Sequence, residues 1–123
     1  MLIKGFYKIQ EIRSNDSRIN ASIRLNPDHE VYEGHFPEQP VVPGVIQLQI
    51  VKEILEETLG KQLFMNKVSS AKYLKIITPE NSKELQITIQ YKKTDENEYK
   101  VNALIGSGKT VFTKVKVVFK QLT

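Results

Sequence analysis

The sequence contains no cysteine and no tryptophan, and it has only two histidines. Without cysteine, the protein can form no disulfide, no thiolate nucleophile and no thiolate metal site, which fits a reducing compartment. Only His29 and His35 can offer an imidazole to a metal ion. We therefore predict that the protein has no metal site.

Long apolar runs and blocks of like charge are also missing. No segment approaches the roughly 20 apolar residues of a membrane span. The first ten residues, MLIKGFYKIQ, lack the apolar core of a signal peptide because Lys4, Gly5 and Lys8 interrupt them. The net charge is only +4, and neither a zinc-finger spacing nor an RNA-binding aromatic signature is present. We predict a soluble, cytoplasmic protein that binds neither nucleic acid nor membrane.

The length of the chain sets its domain organisation. With 123 residues, 40% of them hydrophobic and 26% charged, it suits a single globular domain over residues 1–123. A domain of this size buries a modest fraction of its surface. Oligomerisation would help it to bury more.

The hydrophobic pattern has a helical period in one segment of the chain. From Val45 to Leu59 apolar residues recur every three or four positions, which predicts a helix of about four turns, with Gly60 well placed to end it. Three prolines are expected to hold the preceding segment, Glu33 to Gly44, extended. The remaining segments are strand-like, and several alternate with a period of two. The strand-like segments are Met1–Asn15, Ile19–Leu25, Met65–Thr78, Leu85–Tyr91, Tyr99–Ile105 and Val111–Phe119. The sequence GSGK predicts a tight hairpin before the last of them.

The order of elements predicts an α+β fold. A helix that is apolar over much of its circumference needs cover on several sides. An antiparallel sheet curved around that helix would supply the cover.

The stretch GHFPEQPVVPGVIQLQ, which begins at Gly34, resembles the signature of hot-dog-fold 3-hydroxyacyl-[acyl carrier protein] dehydratases. That signature is His-Phe-Pro, a further Pro, Pro-Gly, and then a helix with a Glu or Asp. AKYLKIITPEN, from Ala71, is similar to a later strand of the family. The variant PGVIQLQ also resembles a subgroup associated with aryl-polyene-type pigment synthesis. Six positions match at fixed spacing: His35, Phe36, Pro37, Pro40, Pro43 and Gly44.

The resemblance implies a fold, an assembly and a substrate. The fold is a curved antiparallel sheet around one long helix, in a dimer whose sheets join edge to edge. Each of two active sites combines a histidine from one subunit with an acid on the helix of the other. The substrate is an acyl thioester carried on phosphopantetheine by acyl carrier protein or on coenzyme A, and no other cofactor is needed.

Dehydration of a 3-hydroxyacyl thioester needs a base for the α-proton, donors for the enolate-like oxygen, and an acid for the leaving hydroxyl. His35 suits the base because imidazole titrates near neutral pH. The resemblance gives the backbone N–H of Gly44 to the thioester carbonyl. A helix start favours that role because its N–H groups are unpaired, and glycine permits close approach.

The third position departs from the family pattern. The expected acid lies fourteen residues after the histidine, where this chain has Gln49, and an amide gives up no proton at neutral pH. Either His35 acts alone while Gln49 holds the hydroxyl or a water, or a paralogous partner supplies the carboxylate, or the chain no longer dehydrates. Gln49 could also be a satisfied structural amide. Glu53, one turn further on, is a conceivable displaced acid, although a surface Glu is the simpler interpretation.

Other residues have weaker assignments. Phe36, Pro43, Val45 and Tyr73 are predicted to contact substrate. Phe36, Tyr73 and Phe64 would line the acyl tunnel, with ordinary core as an equal alternative. We expect His29 to be solvated. Scattered lysines could dock an acidic carrier protein, although solubility is the simpler role; they are Lys61, Lys67, Lys72 and Lys75.

Three functions follow from these patterns. The first is a dehydratase that forms the trans-2-enoyl thioester in fatty acid or polyene biosynthesis, as a homodimer or higher oligomer. The second is a non-catalytic acyl-thioester-binding subunit, which could pair with a paralogue in a heterodimer. The third is a hot-dog thioesterase.

Overall fold

The computed structural model describes residues 5–34, 40–80, 82–95 and 97–122. Within these residues there are six strands, one short helix and one long helix. In chain order they are β1 Tyr7–Asn15, β2 Arg18–Leu25, α1 Val31–Gly34, α2 Gly44–Leu59, β3 Leu63–Tyr73, β4 Glu84–Asp95, β5 Glu98–Ser107 and β6 Thr110–Gln121.

The strands form one antiparallel sheet in the order β1-β2-β4-β5-β6-β3. Three pairs of neighbouring strands are hairpins: β1–β2, β4–β5 and β5–β6. The β5–β6 hairpin closes at Ser107 and Thr110 around Gly108, whose φ is +59°. A type of turn that needs positive φ favours glycine there, so the predicted GSGK hairpin is confirmed. The sheet leaves β1 and β3 at its edges.

Alternation along the strands explains which face meets the helix. On β2, Ile19, Ala21, Ile23 and Leu25 are all at most 3% exposed, as predicted, while Arg24 points away from the core. Equivalent buried rows on β4, β5 and β6 complete an apolar surface that curves around α2. The predicted α+β hot-dog architecture is confirmed.

Helix α2 runs over the residues that its apolar period predicts. It ends at Gly60, whose φ of +66° is left-handed and whose N–H donates to the Glu56 carbonyl. Ile50, Val51 and Ile54 are fully buried against the sheet, but Val45 is 71% exposed. The period places Val45 on the apolar stripe, yet no element of the described chain covers its side chain.

The structure corrects several predicted boundaries. Gly5 and Phe6, which fall within the strand predicted from Met1, form a turn before β1 begins at Tyr7. The described part of the segment predicted to be extended from Glu33 to Gly44 begins with the end of a short helix, Val31–Gly34. The strand predicted to reach Thr78 ends at Tyr73, after which the N–H groups of Leu74 and Lys75 still donate to the Phe112 carbonyl. No helix among the described residues is long and apolar enough to cross a bilayer.

Candidate active site

The first turn of α2 presents unpaired backbone donors. Pro43 is the N-cap and brings no side-chain acceptor, while its carbonyl accepts from the N–H groups of Ile46 and Gln47, each at 3.1 Å. The N–H groups of Gly44 and Val45 donate to nothing in the described part of the chain. Both lie at the positive end of the helix dipole, so the turn suits a partly negative oxygen.

Tyr73 lies against this turn. A Cβ built on Gly44 would lie 2.6 Å from Cζ and 2.7 Å from Oη of the Tyr73 side chain. Burial raises the pKa of the Tyr73 hydroxyl, although 47% of the residue is exposed. The fold therefore brings together two predicted site residues that lie 29 positions apart. Glycine is needed at position 44 because a Cβ there would clash with the Tyr73 ring.

A buried amide fixes the segment before the helix. Gln47 is 5% exposed; its Nε2 donates to the Val42 carbonyl at 3.1 Å, and its Oε1 accepts from the Thr113 hydroxyl at 2.5 Å. The N–H of Val42 in turn donates to the Ile77 carbonyl at 2.8 Å. These bonds tie the entry of α2 to the sheet. Sequence reasoning missed Gln47, and its only signal was a polar residue between the apolar residues Ile46 and Leu48.

Gln49 takes part in a second polar group. Its Nε2 donates to Oε2 of Glu53 at 2.8 Å, and the Tyr7 hydroxyl donates to Oε1 of the same carboxylate at 2.8 Å. Glu53 is only 8% exposed, so its interpretation as a surface residue is wrong. Burial, and then the hydrogen bond to Glu53, raise the pKa of Tyr7.

Val45, Gln49 and Glu53 follow one another at spacings of four along one face of α2. Exposure falls steadily along this row, from 71% at Val45 through a half-buried Gln49 to 8% at Glu53. The row joins the open first turn to the interior. Beyond it lies a groove of about 880 Å³, lined in part by Tyr7, Glu53 and Lys61.

Two predicted site residues, His35 and Phe36, lie outside the described residues. Their roles, and those of Gly44, Gln49, Pro43, Val45 and Tyr73, stay predictions. Among the described residues, no three side chains of the types that bind metal ions form a cluster.

Two of the weaker assignments change. His29 is partly buried rather than solvated. Its Nδ1 accepts from the Val31 N–H at 3.1 Å, and its ring packs against that of Phe6 in a T-shaped arrangement with a centroid distance of 5.3 Å. Phe64 and Tyr73 are 40% and 47% exposed, so neither is ordinary core of this chain.

A sequence model of the ApeI-like family, described as ApeI dehydratase, matches residues 11–114. The chain belongs to this family. A curated relative, the 3-hydroxyacyl-[acyl-carrier-protein] dehydratase FabZ of Ligilactobacillus salivarius, is 26% identical over 113 residues, which cover 86% of this chain and 74% of the relative. The predicted dehydratase family and the predicted similarity to an aryl-polyene-type subgroup are confirmed.

Solved structures share the fold of this ApeI-like dehydratase. The dehydratase heterocomplex ApeI:P from Xenorhabdus doucetiae matches with a TM-score of 0.74 at 17% identity, covering 92% of this chain and 96% of that one. A thioesterase-like protein, yhdA from Lactococcus lactis, matches with a TM-score of 0.68 at 12% identity over 99% and 96% of the two chains. Because both chemistries occur on one fold, the backbone alone does not distinguish them. The family match, which identifies a dehydratase-like lyase, does.

Proposed function

We propose that the protein removes water from a 3-hydroxyacyl thioester to give the trans-2-enoyl thioester, in fatty acid or polyene biosynthesis. The observation that carries this proposal is the ApeI-like match over residues 11–114, which spans the whole stretch from His35 to Gln49. The FabZ relative, named as a 3-hydroxyacyl-[acyl-carrier-protein] dehydratase, supports the same substrate class.

In the proposed reaction His35 is both base and acid. Its imidazole takes the proton from C2, and the electrons of that C–H bond move onto the thioester as an enolate-like charge on the carbonyl oxygen. The imidazolium then returns the proton to the 3-hydroxyl, the enolate electrons form the C2=C3 double bond as the C3–O bond breaks, and the hydroxyl leaves as water. One histidine can serve twice because the imidazole pKa lies near neutral pH.

The thioester carbonyl is proposed to face the first turn of α2. Charge develops on this oxygen as the C2 proton leaves, and preoriented N–H groups stabilise such charge strongly. The unpaired N–H groups of Gly44 and Val45 support this placement. Pro43, Val45 and Tyr73, with Phe36, would then contact the thioester end of the acyl chain.

The carrier and the location are further parts of the proposal. A substrate on the phosphopantetheine of acyl carrier protein fits the FabZ relative, and no other cofactor is required by the chemistry written above. A substrate on coenzyme A would undergo the same reaction. A cytoplasmic location stays a prediction from the sequence.

We propose that the active form is at least a dimer, joined through the edge strand β3. In the described chain β3 pairs only with β6, and its exposed residues include Phe64 at 40% and Val68 at 41%. Apolar residues on an unpaired edge favour pairing with another chain. Native mass spectrometry of wild type and Val68→Lys measures the oligomeric state. A wild type that is monomeric would contradict the proposed dimer.

The direct test follows the enoyl absorbance after the pure protein is mixed with a 3-hydroxyacyl thioester. We expect product from wild type and a loss of about 10²-fold or more in His35→Ala, as removal of a general base causes. A wild type without enoyl product would overturn the proposal. Free thiol without enoyl product would instead identify a thioesterase.

A second candidate function rests on Gln49, which replaces the expected acid. In that case the chain binds acyl thioester or completes a site in a related dehydratase, as a subunit of a heteromer. The ApeI:P heterocomplex is a precedent for heteromeric assembly on this fold. The test compares the isolated chain with the chain mixed with a paralogue from its source: activity that appears only in the mixture favours this alternative.

A further inference from the structure

The row Val45, Gln49, Glu53 ends in a buried carboxylate that no motif identifies. Glu53 is 8% exposed among apolar residues of α2 such as Ile50 and Ile54. A buried carboxylate is costly unless it is hydrogen-bonded. Here each oxygen of Glu53 has one donor at 2.8 Å, the Tyr7 hydroxyl and the Gln49 amide.

This pairing decides which way the Gln49 amide points. An ionised carboxylate only accepts hydrogen bonds, so the Gln49 atom 2.8 Å from Oε2 of Glu53 has to be the nitrogen. The reversed amide would put two acceptors in contact. The Gln49 Oε1 is therefore turned away from Glu53, and no donor among the described residues reaches it.

Tyr7 holds the other side of the carboxylate. Its hydroxyl reaches Glu53 from β1, 46 positions earlier in the chain, so the carboxylate is held between an edge strand and the helix. Burial and the Glu53 hydrogen bond raise the pKa of Tyr7, so the phenol stays protonated and remains a donor. Glu53, with a donor on each oxygen, accepts rather than donates.

We propose that Glu53 is a positioning residue: it orients the Gln49 amide so that Oε1 accepts the hydrogen of the substrate 3-hydroxyl. The inference rests on the proposed dehydration. With its hydrogen held by Gln49, the hydroxyl oxygen keeps a lone pair for the proton that the His35 imidazolium returns. The C3–O bond then breaks and water leaves, so neither Gln49 nor Glu53 gains or loses a proton.

The test compares three variants. Glu53→Met keeps the length of the side chain but removes the acceptor, and Glu53→Gln keeps an acceptor. Glu56→Met is the matched control, since Glu56 lies on the same helix and accepts from the Leu63 N–H at 2.9 Å without contacting Gln49. We expect kcat to fall about tenfold in Glu53→Met, the usual effect of one lost charge-assisted hydrogen bond. We expect it to stay within about threefold in Glu53→Gln and Glu56→Met.

A second measurement is independent of activity. The side-chain amide resonances of Gln49, assigned by their loss in Gln49→Met, report its hydrogen bond directly. We expect one slowly exchanging N–H in wild type, Glu53→Gln and Glu56→Met. In Glu53→Met we expect this N–H to exchange rapidly, because its acceptor is gone. If Glu53→Met does not fold, the wild-type resonance decides, and a freely exchanging amide would overturn the inference.

The two measurements separate the possible failures. An unchanged resonance in Glu53→Met overturns the inference, and so does a kcat that falls equally in Glu53→Met and Glu56→Met. A wild type without dehydratase activity overturns the proposed function instead, and the resonance still shows whether Glu53 orients Gln49.

Discussion

Replacing Gln49 with glutamate restores the acid that the family pattern expects, but in this chain the change places two carboxylates together. Gln49 Nε2 lies 2.8 Å from Oε2 of Glu53, and the substitution exchanges this donor for an acceptor. We therefore expect Gln49→Glu to destabilise the fold at neutral pH. The exchanged variant Gln49→Glu/Glu53→Gln keeps one amide and one carboxylate, and should be close to wild type.

The size of the effect follows from the distance. Two unit charges 2.8 Å apart repel by about 6 kcal/mol at an effective dielectric constant of about 20. The pair avoids this by binding a proton, which at pH 7 costs about 4 kcal/mol for a carboxyl with a normal pKa near 4.3. Because position 49 is half-buried, the introduced carboxylate could also turn toward water, so we expect a loss of about 2–4 kcal/mol at pH 7.

The dependence on pH has a definite sign. In Gln49→Glu one carboxyl pKa is raised in the folded state, so the folded protein binds more protons than the unfolded chain, and the penalty grows as pH rises. At pH 5 it should shrink to about 1 kcal/mol. Urea unfolding of both variants and wild type at pH 5 and pH 7 measures this. Equal stability of Gln49→Glu and wild type at pH 7 would refute the contact.

Three further predictions follow from other contacts. Thr113→Val leaves the buried Oε1 of Gln47 without its donor and should cost about 1–3 kcal/mol in urea unfolding; a change below about 0.5 kcal/mol would contradict this. Gly44→Ala places a Cβ 2.6 Å from the Tyr73 ring, so kcat should fall, and Gly44→Ala/Tyr73→Ala should recover any lost stability; an unaltered kcat would contradict the close approach. Because the pKa of Tyr7 is raised, its contribution to stability is lost above about pH 10, so Tyr7→Phe should show a shallower alkaline loss of stability in thermal melts; identical slopes would argue against it.

Much of the fold follows from periodicity in the sequence. Alternation fixes the buried face of β2, and the spacing from Val45 to Leu59 fixes α2 and its end at Gly60. The order of strands in the sheet does not follow from these local patterns, because β3 pairs with β6 across a long stretch of chain that contains β4 and β5. The exposed Val45 shows that periodicity gives the apolar face of a helix but not whether another element covers it.

The candidate site, like the fold, is predictable from the sequence only in part. The Pro-Gly stretch identifies Gly44 and the helix start, and Gln49 is found by counting from His35. The contact between Gly44 and Tyr73 and the burial of Glu53 depend on side chains that meet only in the folded chain. Nothing local to Glu53 indicates that Tyr7, 46 positions away, satisfies its carboxylate.

The central claim is that this ApeI-like chain dehydrates a 3-hydroxyacyl thioester with His35 as its only proton-transfer group. The most direct measurement is the rate of enoyl formation by wild type, His35→Ala and Gln49→Met with the same carrier-bound substrate. We expect product from wild type, a loss of about 10²-fold or more in His35→Ala, and a smaller loss in Gln49→Met, because Gln49 moves no proton. No enoyl product from wild type, or His35→Ala as active as wild type, would contradict the account.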